Sequence, residues 1–276
     1  VRGKTVVITG ATSGIGEVAA LNLAEKGARI VFIARDKKRA DVLLGKFPGG
    51  APHAYHLADL STIESVKRVG AAIAEAVPKI DVLMNNAGAI FAKRSLTADG
   101  LEMTFAVNHM AYFVLTHALL GNVKAAAPGA RIISTSSQMH ASGRLDFDDL
   151  QVKRGYTAWD AYANSKLANV LFTRALAKRL EESGVIANCL HPGFVNTRFG
   201  DLSGGAVAPA LKLAKLSAIP PARGAETMIW LASSPDAAQY NGRYFDRSKP
   251  VTPGAQAQDD AAAERLWIES MRLAGL

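Results

Sequence analysis

Thr5-Val-Val-Ile-Thr9-Gly10-Ala-Thr-Ser-Gly14-Ile-Gly16 decides the fold of this chain. Five β-branched residues in succession suit a strand buried on both faces, and the glycines after them lead into a helix, Ile15 to Lys26. Strand, glycine-rich turn and helix together form a phosphate cradle. Without side chains the backbone can approach a pyrophosphate, while the helix N-terminus offers free N–H groups and the positive end of its dipole. The candidate contacts are Gly10, Thr12, Ser13, Gly14, Ile15 and Gly16. The spacing is Gly-x-x-x-Gly-x-Gly rather than Gly-x-Gly-x-x-Gly, and a tight structural turn is the competing reading.

Outward from that turn, apolar runs alternate with helical stretches. Arg29–Ile33, Ile80–Met84, Arg131–Thr135 and Val185–Leu190 read as buried strands, with His53–Leu57 a weaker one. Helices are expected at Lys37–Lys46, Ile63–Val77, Leu101–Ala126 and Ala158–Ser183. The pattern predicts an α/β fold: a Rossmann-type doubly wound parallel sheet with helices on both faces. With no repeat or linker, residues 1–276 read as a single domain. Two segments fall outside the alternation. Residues 193–221 are rich in Gly, Ala and Pro and read either as a substrate lid or as a surface helix. Lys249–Gln258 reads as a loop before a final helix, Ala261–Leu273.

Composition narrows the function classes. At 276 residues, 49% hydrophobic and 20% charged, the chain has ample core material, and the mean hydropathy of +0.09 suits a sheet covered on both sides. A net charge of +8 permits an acidic partner, but the basic residues are scattered, which argues against nucleic acid. Cys189 is the single cysteine and lies in an apolar run, so it reads as a packed small hydrophobe. His109, His117 and His140 lack metal-ligand spacing, and no metal is expected. Neither a signal peptide nor a membrane span is read, and the expected location is cytoplasmic.

The second strand selects the nucleotide. A site for NAD usually ends this strand with an acid that holds the ribose hydroxyls. Here the position is Ala34, followed by Arg35, whose planar fork suits a 2′-phosphate, with Lys38 or Arg39 adding charge. That selects NADP(H). The chemistry is carried by Tyr162-Ala-Asn-Ser-Lys166, which puts a phenol and an ammonium on one helical face. A nearby cation favours the phenolate, so this pair can take or give the proton of an alcohol or carbonyl.

Together with Asn85-Asn86-Ala87-Gly88 and Ser134-Thr-Ser136-Ser137, these motifs resemble, in order and over nearly the whole chain, the short-chain dehydrogenase/reductase family. Tyr162 lies 25 positions after Ser137, a wider gap than the family usually has. That gap and His191-Pro192-Gly193 resemble the retinol-dehydrogenase-like branch. The resemblance implies a small-molecule carbonyl or alcohol substrate, an apolar one, and pairing into a homodimer or homotetramer through the two long helices. It implies a catalytic set of Asn108, Ser137, Tyr162 and Lys166, with Ser137 rather than Ser136 polarising the substrate oxygen. Asn108 would bend its helix and hold a water beside Lys166. Asp59, next to Leu60, would accept from the adenine amino group, or else cap the following helix. Asn86, Ala87 and Gly88 would pass the adenosine ribose. Pro192, Gly193, Val195 and Thr197 would meet the nicotinamide end. His191 reads as shaping its loop, while Met139 and Trp159 line the pocket or pack the core. The alternatives are an enzyme like protochlorophyllide reductase, a sugar-nucleotide epimerase, and a scaffold that senses NADP(H) without turnover; the complete catalytic set weighs against the last.

Overall fold

The computed structural model describes residues 1–195 and 218–276. Its strands are β1 (Thr5–Thr9), β2 (Arg29–Ala34), β3 (Ala54–Leu57), β4 (Val82–Asn85), β5 (Ala130–Thr135), β6 (Val185–His191), β7 (Tyr244–Asp246) and β8 (Lys249–Val251). They form one sheet in the order β3-β2-β1-β4-β5-β6-β7-β8, parallel throughout except for the β7–β8 hairpin. The chain leaves β3 at one edge and returns to β4 beside β1. The carboxyl ends of β1 and β4 therefore flank the point where the strand order reverses, the usual ligand crevice of an open parallel sheet.

Helices cover both faces. On one lie α1 (Gly14–Glu25), α2 (Lys37–Leu44) and α6 (Pro221–Ser233), packed on Val6, Ile8, Ile30, Phe32 and Met84. On the other lie α3 (Ile63–Ala76), α4 (Met103–Lys124), α5 (Ala158–Arg179) and α7 (Asp260–Ala274), packed on Val7, Val31, Leu83 and Ile132. Successive strand residues thus feed opposite cores, which is why the strands read as unbroken apolar runs.

Three departures from the sequence reading bear on the site. The helix expected from Leu101 is not uniform: Glu102 accepts from Thr104 N and Phe105 N, one turn follows, and Ala106–Met110 widens into a π-helical turn before regular helix resumes at Ala111. This helix is also long and apolar enough to cross a membrane by composition, contrary to the absence of a span read from sequence, but most of it is buried against the sheet and α3. The loop expected at Lys249–Gln258 begins instead as edge strand β8. Pro250 is tolerated there because an outermost strand can spare a ladder donor.

Candidate active site

The glycine turn is locked from β4. Thr9 Oγ1 accepts from both Asn86 N and Ala87 N at 2.9 Å, and Asn86 Nδ2 donates to Thr9 O at 3.0 Å. Gly10 sits at φ +71°, and a Cβ on it would lie 2.9 Å from Ala87 Cα. Gly16 is equally constrained, 2.6 Å from Asn86 Nδ2. These two glycines are required where the turn crosses the Asn86–Gly88 segment. Ser13 precedes α1 in extended conformation without capping it, and Gly14 follows at φ +61°, so the first-turn N–H groups keep their capacity for an anion. Ile15 Cγ2 packs toward Gly224 on α6, where Val195 also meets it. The segment after β6 is thereby tied to the glycine turn. Pro192 and Gly193 (φ +85°) lead into it, and Val195 bridges to Ile219. Thr197 and most of 193–221 lie outside the described residues.

At the end of β2, Ala34 is buried while Arg35, Lys38 and Arg39 are exposed. Asp36 caps α2 by accepting from Arg39 N at 3.1 Å. Thr12, Lys38, Arg39 and Lys46 line an open groove of about 310 Å³ beside the glycine turn. Of the acids nearby, Glu17 is paired with Lys46 at 2.7 Å and Asp41 with Lys37 at 2.8 Å. Asp59 is exposed, and its Oδ1 accepts from Ser61 N at 2.9 Å, a local turn contact. The expected capping role falls elsewhere: Thr62 is the N-cap of α3, and Asp99 Oδ2 accepts from Ile63 N at 2.8 Å. Leu60 is buried in the core of the α3 face.

The four candidate catalytic residues converge at the carboxyl ends of β4 and β5. Thr157 caps α5, accepting from Asp160 N at 3.0 Å, and sets the helix phase that turns Tyr162 and Lys166 inward. Ser136 Oγ donates to Lys166 O at 2.8 Å and so anchors α5 to β5. Ser137, not Ser136, is close enough to Tyr162 to draw the phenol's ionisation down. Ser137 Oγ also accepts from Met139 N at 3.2 Å. Lys166 Nζ donates to Thr135 O at 3.0 Å and lies 5.5 Å from the Tyr162 ring centre. Asn108, in the π turn, is fully committed: Oδ1 accepts from Ala89 N, and Nδ2 donates to Ala89 O and Ser165 Oγ. Its main-chain carbonyl accepts from Asn169 Nδ2 at 2.9 Å. Gly88 fits between Asn108 and Lys166; a Cβ there would come within 3.4 Å of Nζ.

Electrostatics depart from the simple Tyr–Lys expectation. Burial pushes the Tyr162 phenol up to about 12, with the Ser137 hydrogen bond acting the other way. Burial also pulls the Lys166 ammonium down to about 7. Desolvation is the largest influence on both, and Lys166 addresses the ring rather than the hydroxyl. Cys189 is buried, its thiol pushed up to about 12, as a packed hydrophobe should be.

Two histidines that sequence reasoning set aside belong to this site. His140 Nδ1 donates to Ser137 O at 2.7 Å, and its Nε2 accepts from Gly254 N at 2.9 Å. His191 Nδ1 accepts from Gln138 N at 3.1 Å. The available signal was positional: one lies three residues after Ser137, the other ends β6. Met139 packs with Ile90 and Ala158 against Tyr162 as an apolar wall, and Trp159 is partly exposed beside it.

A glycine turn at the switch point and a Ser–Tyr–Lys cluster across it define a nicotinamide-dependent oxidoreductase fold. The chain belongs to the short-chain dehydrogenase family, whose model matches residues 4–203. Human retinol dehydrogenase 13 is 40% identical over 284 aligned residues, covering 99% of this chain and 85% of that protein. Among solved structures, an uncharacterized protein from Mycobacterium paratuberculosis superposes with TM-score 0.80 at 31% identity, covering 99% of this chain and 94% of that one. A Burkholderia cenocepacia short chain dehydrogenase in complex with NADP follows with TM-score 0.70 and 27% identity, covering 94% and 99%. The likeness to the retinol-dehydrogenase branch is thus borne out.

Proposed function

We propose that this protein is an NADP(H)-dependent oxidoreductase that interconverts an apolar ketone or aldehyde with its alcohol, using Asn108, Ser137, Tyr162 and Lys166. The observation that carries the reading is the convergence on one ring of Ser137, which draws the Tyr162 phenol's ionisation down, and buried Lys166, its Nζ 5.5 Å from the ring centre. Two hydroxyls converging on one point can both address a substrate oxygen.

The residues fit the dinucleotide. The turn at Gly10–Gly16 would hold the pyrophosphate against α1, and Lys38 and Arg39, which line the groove beside Thr12, would hold the 2′-phosphate together with Arg35 at the end of β2. Asn86–Gly88 would border the adenosine ribose. Bound NADP(H) supplies the two-electron exchange at carbon. Every other role falls to the chain. Ser137 donates a hydrogen bond to the carbonyl oxygen and holds it beside Tyr162. In reduction Tyr162 gives its proton to that oxygen as it becomes an alcohol; in oxidation it takes the proton back. A phenol pushed up to about 12 is protonated at neutral pH, which suits the reductive direction. Lys166 stabilises the phenolate left behind, and Asn108 holds the Ala89 loop after β4 against α5. Ile90, Met139 and Ala158 give the pocket an apolar wall, which favours a hydrocarbon substrate.

The test is a panel of aldehydes, ketones and alcohols with NADPH or NADP⁺, followed at the nicotinamide absorbance. Tyr162→Phe keeps the ring and removes the acid, so turnover should fall by roughly 10² or more with cofactor affinity intact. A variant that turns over like the parent would remove Tyr162 from the chemistry.

A further inference from the structure

The peptide bond between Ser137 and Gln138 is gripped at both ends by imidazoles. His140 Nδ1 donates to its carbonyl at 2.7 Å, and His191 Nδ1 accepts from its N–H at 3.1 Å. The remaining contacts fix both tautomers. Gly254 N donates to His140 Nε2 at 2.9 Å, so that nitrogen carries no proton and the proton of His140 is on Nδ1. His191 must keep Nδ1 bare to accept, so its proton is on Nε2. One ring is a donor and the other an acceptor, as the two ends of a peptide plane require.

Each ring is held by a different part of the fold. His191 ends β6, and its neighbours in ionisation are Asp246 on β7, Arg247 and His140. His140 is buried, its ring centre 4.6 Å from that of Tyr244, and Gly254 reaches it only because it lacks a side chain: a Cβ there would sit 2.9 Å from Ala141 Cα. Burial lowers the ionisation of both histidines below the ordinary imidazole range, which keeps them neutral and the bonds intact.

We propose that His140 and His191 are positioning residues that fix the Ser137–Gln138 peptide plane and thereby aim the Ser137 hydroxyl at the substrate oxygen. Rotation of this plane would swing the Ser137 backbone, and a hydroxyl displaced by an ångström or so loses much of its catalytic effect. The β8–α7 connection, through Gly254, becomes part of the site's support. The inference rests on the role given to Ser137 above.

The experiment uses the whole enzyme, NADPH and the best carbonyl substrate from the panel. His191→Leu, with no acceptor, should lower kcat about tenfold, the worth of one neutral hydrogen bond, with the KM for NADPH unchanged. His191→Asn, whose Oδ1 takes the place of Nδ1, should restore most of the rate, whereas His191→Gln, one bond longer, should not. The decisive arm is Ser137→Ala. In that background His191→Leu should change the residual kcat by less than about twofold, because there is no hydroxyl left to aim. A tenfold loss in both backgrounds would overturn the proposal, as would full activity of His191→Leu or of His191→Gln. If Ser137→Ala itself turns over normally, the fault lies in the reading of Ser137. Should His191→Leu not fold, the Asn and Gln variants carry the test. The acid limb of kcat should also flatten in His191→Asn, since protonation of Nδ1 is what abolishes acceptance in the parent.

Discussion

Lys166→Met should make the cofactor-free protein more stable at neutral pH, a direction opposite to the usual loss of a buried hydrogen bond. The ammonium is buried, with no carboxylate against it among the described residues, and its ionisation falls from 10.5 to about 7. Between those values the unfolded chain binds the proton and the folded chain does not, so stability rises with pH across that window. The penalty on folding is full below pH 7 and gone above 10.5. At pH 7 it amounts to about 4 kcal/mol by linkage. Methionine keeps the stem and removes the charge, at the cost of one hydrogen bond to Thr135 O, about 1 kcal/mol. That carbonyl is not orphaned, because Asn169 Nδ2 also donates to it at 3.3 Å. The variant should therefore gain about 3 kcal/mol at pH 7, and the gain should shrink to under about 0.5 kcal/mol by pH 9.5. Urea unfolding of both proteins at four pH values between 6.5 and 9.5 measures this directly. A variant less stable at pH 7, or a difference flat with pH, would mean that Lys166 is charged and fully compensated in the folded protein.

Arg35→Ala should raise the KM for NADPH with little effect on NADH, by about 1.5–3 kcal/mol for a lost charge-assisted contact, and equal effects on both would remove Arg35 from the 2′-phosphate site. Ser137→Ala should cripple turnover, whereas Ser136→Ala should chiefly cost stability, since its hydroxyl serves Lys166 O on the far side of the strand end; steady-state rates beside thermal midpoints separate the two. Gly16→Ala puts a methyl 2.6 Å from Asn86 Nδ2 and against Gly10 O, so it should lose about 1–3 kcal/mol of stability and weaken cofactor binding, measured by melting with and without NADP⁺.

The layout was legible because its determinants are local. β1 is a continuous β-branched run and β2, β5 and β6 are mostly apolar ones, and a helix follows most of them, so the alternation alone implies a parallel sheet. The strands that escaped, β7 and β8, are three residues each and include Pro250, too short and too irregular for a period to show. The π turn at Ala106–Met110 escaped for a related reason: an apolar helical stretch reads the same whether or not one turn is widened. Tyr162 and Lys166 were legible from motif spacing and Ser137 from the family resemblance; the Ser136 hydroxyl donates to the α5 backbone at Lys166 O. The clamp by His140 and His191 was not legible. It depends on long-range contacts, 53 residues apart for Gln138 with His191 and 114 for Gly254 with His140.

The two shifted groups explain each other. In the cofactor-free protein burial outweighs the opposing effect of Ser137 on Tyr162 and disfavours the Lys166 ammonium, so the pair rests as neutral tyrosine and a lysine near its midpoint. A site in that condition is poised to gain a proton at Lys166 when polar groups of a ligand reach Nζ across Gly88, the side on which a single methyl would already crowd it. Once charged, the ammonium would favour the phenolate, drawing Tyr162 back toward its working range only while the site is filled. Binding of NADP⁺ should then take up protons between about pH 7 and 9, read by calorimetry in buffers of different ionisation enthalpy, and Lys166→Met should abolish the uptake. Equal apparent enthalpies in all buffers would place the missing counter-charge elsewhere, and the proton inventory of the reaction would have to be written without Lys166.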